Sequence, residues 1–133
     1  MRGRRVIAYY LKYLMLLLVS LTLMNSPVRA ETSCEGILAS GSIKEMRPCA
    51  ELKYQAAEKT LKETLERLSK GLDDKPKKAL SKAQIAWTRY RLLDCYSYSL
   101  QVVGQLRPIF NNICRAKLTK QRNALLKEQY EKN

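Results

Sequence analysis

Histidine is absent from this chain of 133 residues, which removes every catalytic triad and metal site that depends on an imidazole. No glycine-rich phosphate loop occurs either. Acidic residues are scarce, 12 against 25 basic ones. Those at Glu58, Glu63 and Glu66 are interleaved with lysines at ion-pair spacing and leave no isolated acidic pair. No segment alternates apolar and polar residues with the period of a strand. An enzyme is therefore the least supported class, no cofactor is expected, and the fold class is all-α.

What is present begins with an address. Arg2, Arg4, Arg5 and Lys12 precede the apolar run "LMLLLVSLTLM" (Leu14 to Met24) and then "NSPVRA". This is the basic start, apolar middle and small-residue cleavage site of a signal peptide, with Val28 and Ala30 at the two positions that must be small. The apolar run is short of the roughly 20 residues that span a bilayer, which disfavours an uncleaved anchor. The lead before Cys34, "AETS", does not resemble that of a lipoprotein signal. Residues 1 to 30 are expected to be removed after Ala30, leaving residues 31 to 133 as one helical domain in the periplasm or outside the cell. Removal takes five of the 25 basic residues and none of the 12 acidic ones, so the remaining 20 against 12 give a net charge of about +8. Cys34, Cys49, Cys95 and Cys114 all lie in the mature part, and an even set in a small exported chain reads as two disulfides. A zinc site built from four thiolates is disfavoured because the cysteines lack close pairs.

"SIKE" from Ser42 has the form of a capping box and opens a first helix, within which Pro48 predicts a kink or break before Cys49. Ala50, Tyr54, Ala57, Leu61, Leu65, Leu68 and Leu72 then recur at helical spacing. Gly71 and the "DDKP" turn end this helix and start a second, from about Pro76 to about Val103. Leu80, Ala83, Trp87 and Tyr90, followed by Leu93 or Asp94, are expected on its buried face. Gly104 and Pro108 punctuate the next turn, and a third helix follows with Ile109, Phe110, Ile113, Leu118, Leu125 and Leu126 inward. Short connections make the expectation a disulfide-stapled antiparallel three-helix bundle, running up, down and up. That topology gathers the cysteines at one end and favours Cys95 with Cys114 and Cys34 with Cys49, leaving the other two connectivities open.

The stretch "AQIAWTRYRLLDC" (Ala83 to Cys95) is polar where a core should be apolar. Gln84, Trp87, Arg91 and Cys95 fall on one helical stripe. A buried guanidinium has to be paired, with Asp94 the nearest candidate and Thr119 or backbone carbonyls of the third helix the others. Together with "CRAKLTKQRNALL" (Cys114 to Leu126), this stretch resembles the lysozyme-inhibitor LprI-like family of small exported bacterial helical proteins. In that family an A-Q-x-x-W-x-x-x-R-x-x-x-C helix precedes a C-x-x-x-x-T-x-x-R-x-x-x-L helix. The matching residues are Ala83, Gln84, Trp87, Arg91 and Cys95, then Cys114, Thr119, Arg122 and Leu126. Cys34, Glu45, Met46, Cys49 and Tyr54 also fit. Where the family often shows A-D-x-x-L-N, this chain has Ala57, Glu58, Leu61 and Lys62.

The resemblance implies a periplasmic protein that binds and inhibits lysozyme; another envelope protein is the alternative partner. A mature chain near +8 would meet basic lysozymes with long-range repulsion. A local contact is still open to Arg107, on the loop "GQLRP", which could reach the paired carboxylates of a lysozyme cleft. The charge itself suggests a second class, an envelope-associated module for anionic partners such as lipid head groups, cell-wall polymer or an acidic protein, drawing on "KPKK" (Lys75 to Lys78) and "RAKLTKQR" (Arg115 to Arg122). Export argues against a specific nucleic-acid partner. The membrane is engaged only through the signal peptide before cleavage.

Overall fold

A computed structural model describes the backbone of residues 28–131 and the side chains of residues 34–131. Most of the expected signal peptide lies outside the described residues. Those described form four α-helices and no strand: α1 (Val28–Ser40), α2 (Ile43–Gly71), α3 (Asp74–Ser99) and α4 (Leu106–Tyr130). The all-α class holds, but the helix count is four, not three. The added element is α1, whose stretch after Ala30 carries no capping signal and no sustained apolar period. It ends where Gly41 donates its N–H to the Ile37 carbonyl at 2.7 Å. A Cβ on Gly41 would sit 2.5 Å from that same oxygen, so only glycine fits the turn. No described helix is long and apolar enough to cross a membrane.

The capping box forms as expected. The Glu45 carboxylate accepts the backbone N–H of Ser42 at 2.9 Å and its hydroxyl at 2.6 Å, and those bonds hold the Glu45 pKa below its ordinary value. Of the kink or break predicted at Pro48, the break is absent, for α2 is one helical element across it. Proline removes only the donor to the Lys44 carbonyl, and Lys44 is exposed, so water can take that bond. Pro76 and Pro108 follow a related rule. Each is the third residue of its helix, inside the first turn, where the missing N–H would have had no helical partner. Accordingly α3 and α4 start before these prolines, and α3 ends at Ser99, four residues short of the expected Val103. Gly104, at φ +61°, turns the chain into α4.

Residues in α2 and α4 pair at a constant offset. Glu51 meets Asn112, Tyr54 meets Arg115 and Glu58 meets Thr119, each pair 61 apart in sequence, so the two helices run parallel. Pairs between α3 and α4 run the other way: Cys95 with Cys114, Arg91 with Thr119, Gln84 with Arg122. The last three helices thus run up, down and up. Packing is uneven, because α4 is the helix on which both α2 and α3 lie.

At one end Leu61, Leu68, Leu80 and Leu126 form the apolar cluster, with Leu65, Leu72 and Trp87 packed against it. At the other end both disulfides close, Cys34 with Cys49 and Cys95 with Cys114, at Cα separations of 5.3 and 5.5 Å. Loops of 15 and 19 residues correspond to roughly 3 kcal/mol each by chain entropy. Because α3 has one main neighbour, it buries a narrow strip, Leu80, Arg91, Cys95 and Ser99. Ala83, Tyr90, Leu93 and Asp94, expected inside, are exposed, as is Leu125 of α4.

Candidate functional site

The strip of α3 carrying the sequence motif is buried between α2 and α4 around one guanidinium. Arg91 is 4% exposed. It is not paired with Asp94, the neighbour the sequence suggested, which lies exposed. Its partner is Glu58 of α2, one turn beyond Tyr54. Thr119 of α4 accepts a further hydrogen bond from Arg91, and Tyr54 accepts another at 3.3 Å. Thr119 is itself anchored to the Arg115 carbonyl at 2.7 Å, and Arg115 donates to the Tyr54 hydroxyl at 2.6 Å. A desolvated cation needs this many acceptors, and three helices supply them.

Aromatic rings complete the enclosure. Arg115 lies 4.0 Å from the centre of the Tyr54 ring, and Arg91 lies 5.4 Å from it on the way to Trp87, whose ring it faces at 4.9 Å. Arg122 approaches Trp87 at 6.0 Å and bonds Gln84 at 3.3 Å through its Nε–H. The result is an alternating column of cation and ring: Arg115, Tyr54, Arg91, Trp87, Arg122. Cation–π attraction strengthens where water is excluded, and it faces guanidinium surfaces that hydrogen bonding leaves bare. The Nε atoms of Arg91 and Arg115 are buried and find no acceptor among the described residues.

The electrostatics follow from the geometry. Burial alone would raise the Glu58 carboxyl, but bonds from Arg91, aided by Tyr54 and Thr119, outweigh it and hold the pKa below 4.5. For Tyr54 burial prevails, raising the phenol above its ordinary 10.0 against the pull of Arg91 and Arg115. Both groups therefore stay fixed in charge near neutral pH. The structure brings Gln84, Trp87, Arg91, Thr119 and Arg122 into one cluster, and their polar groups are largely spent on one another. Such a cluster sets helix register better than it performs chemistry.

Sequence reasoning missed Glu58, Tyr54 as a polar partner, and Arg115. A signal for Glu58 existed: it stands where the family pattern reads Asp, after Ala57 and before Leu61, so the carboxylate is kept on a longer stem. Arg107, expected on a loop, is instead the second residue of α4, exposed and outside the cluster. An open groove of about 450 Å³ runs beside the cluster between α2 and α3, with Leu61, Leu65, Glu58 and Arg91 among its walls. Asp94, Cys95 and Cys114 come close enough to suggest a metal site, but both sulfurs are consumed by their disulfide.

Beyond this cluster, α3 turns outward a set of large apolar side chains. Tyr90, Leu92, Leu93 and Tyr96 are each more than half exposed, and Ile85 is 69% exposed. No curated protein and no solved structure matches the chain. A family pattern does, that of "Lysozyme inhibitor LprI", over residues 34–126, from the first cysteine to the last fully buried leucine of α4. With more than half of its length matched, with the four cysteines paired in two disulfides and with Arg91 held between Trp87 and Thr119, the chain belongs to the lysozyme inhibitor LprI family.

Proposed function

We propose that this protein is an exported periplasmic inhibitor of lysozyme that acts by binding the enzyme, with no catalytic activity or cofactor of its own. Membership of the family carries the reading. The division of the surface supports it: the family motif is spent on the interior, while exposed apolar and aromatic groups on α3 remain for a partner. Two disulfides suit an oxidising compartment.

The test is binding of the purified, oxidised protein to a panel of basic and less basic lysozymes, titrated with salt and paired with a muramidase assay. Tight binding with loss of activity is expected. Added salt should speed association with basic lysozymes and slow it with acidic ones, because a protein near +8 is repelled by the former. Arg107→Ala tests the α4 entrance separately, with an expected several-fold loss of inhibition. Unchanged inhibition would remove Arg107 from the contact.

A second reading draws on charge distribution. In α3 and α4 together, twelve Lys and Arg face three acidic residues, Asp74, Asp94 and Glu128. Lys75, Lys78 and Lys82 line one side of α3 near its start. These favour an anionic envelope partner if the lysozyme panel gives no binding.

A further inference from the structure

We propose that the outward ridge of α3, from Ile85 to Tyr96 with Arg89 within it, seats in the concave, carboxylate-bearing substrate cleft of a muramidase. This rests on the inhibitor reading and adds the surface and the chemistry that receives it.

Composition marks the ridge first. Between Lys82 and Lys117 the chain contains no lysine and no glutamate, although both are frequent on either side. Of the four arginines in this stretch Arg91 and Arg115 are spent in the cluster and Arg107 stands on α4, which leaves Arg89 as the cation of the ridge, alongside Tyr90 and Tyr96. Loss of Lys and Glu with retention of Tyr and Arg is the composition of a protein interface centre, where flexible charges are costly to desolvate. An anionic membrane surface would instead favour lysine along the apolar edge.

Shape then selects the partner. At about 100° per residue, Leu92, Tyr96, Arg89, Leu93 and Tyr90 spread over roughly 160° of the helix circumference. A single packed helix covers an apolar stripe of about 100°. A second copy would set convex ridge against convex ridge along roughly 17 Å, a line of contact well short of the ~800 Å² per partner of a standard interface. A concave wall can reach both flanks.

Charge gives the floor of that wall. Among the described residues Arg89 enters no ion pair. Asp94, the acid of this stretch, lies off the ridge beside Lys117 in the groove toward α4. The ridge therefore presents a cation inside an apolar field and calls for carboxylates opposite. A muramidase cleft is concave and holds a pair of carboxylates flanking the scissile bond. Beneath the ridge, the Cys95–Cys114 disulfide and the buried Arg91 cluster hold α3 in place, so little ordering is required on docking.

The experiment measures affinity, inhibition and Tm for the wild-type protein, Arg89→Ala and Leu93→Asp, with an N-acetylglucosamine oligomer as competitor for the cleft. Expected are displacement by the oligomer, at least tenfold weaker binding for Arg89→Ala, loss of inhibition for Leu93→Asp, and unchanged Tm, since both side chains are exposed. Inhibition unaffected by both substitutions, or binding that the oligomer does not displace, would overturn the ridge assignment while leaving the inhibitor reading standing. Absence of inhibition toward every lysozyme would remove both. Binding of anionic vesicles by the wild type but not by Leu93→Asp would give the ridge to a membrane and likewise overturn the proposal.

Discussion

Glu58→Leu is expected to destabilise the protein by about 3 to 4 kcal/mol, roughly twice the loss from Arg91→Leu, as read from urea unfolding at neutral pH. The asymmetry comes from what each substitution leaves behind. Without Glu58, a guanidinium whose side chain is 5% exposed remains charged with only Thr119, Tyr54 and two ring faces around it. Without Arg91, the carboxylate left over belongs to a side chain that is 39% exposed and can recruit water. The double variant should recover much of the loss, because the cost of a broken buried pair lies chiefly in the abandoned charge. Equal losses from the two single substitutions would show that water reaches Arg91.

The same pair sets a pH dependence. The Glu58 pKa in the folded protein lies below its ordinary 4.5. Its contribution to stability is therefore fully present above that ordinary value and disappears as pH falls through the folded one. Glu58→Gln removes this component, so the gap between wild type and variant should narrow on acidification. A gap constant from pH 7 down to pH 3 would count against a stabilised carboxylate at this position.

Much of this fold is legible in the sequence because period alone determines it. The stripe from Ala50 to Leu68 on α2, the cap at Ser42, and the polar stripe of Gln84, Trp87, Arg91 and Cys95 all stand where spacing places them. Hairpin symmetry also favoured the observed cysteine pairing. What period does not encode is how many neighbours a helix has. Tyr90 and Leu93 are apolar and close to the buried stripe, yet they are exposed because α3 packs mainly on α4 and leaves that flank uncovered. The partner of Arg91 was missed for a related reason. Sequence displays local neighbours, such as Asp94 three residues on, whereas Glu58 is 33 residues away and arrives only by tertiary packing. The family pattern held the missing clue, since its Asp marks the position that Glu58 fills.

Trp87→Ala should cost about 3 kcal/mol, toward the lower end of the range for buried aromatic truncations. The indole is not fully enclosed, which tempers the loss. Two connections raise it again. Trp87 packs against the cluster of Leu61, Leu68, Leu80 and Leu126 and also supplies the ring that Arg91 faces at 4.9 Å. Truncation therefore opens a gap in the apolar half of the bundle and strips one face from the buried cation in the polar half. Trp87→Leu separates the two effects, because leucine fills part of the volume without offering a ring. It should restore about half the loss, and the remainder measures the contact with Arg91 and Arg122. Since Trp87 is the single tryptophan of the chain, unfolding of these variants has to be followed by far-ultraviolet circular dichroism. A Tm unchanged by Trp87→Ala would mean that the ring lies outside the core, and the motif residues would then be candidates for direct partner contact instead of the scaffold beneath the α3 ridge.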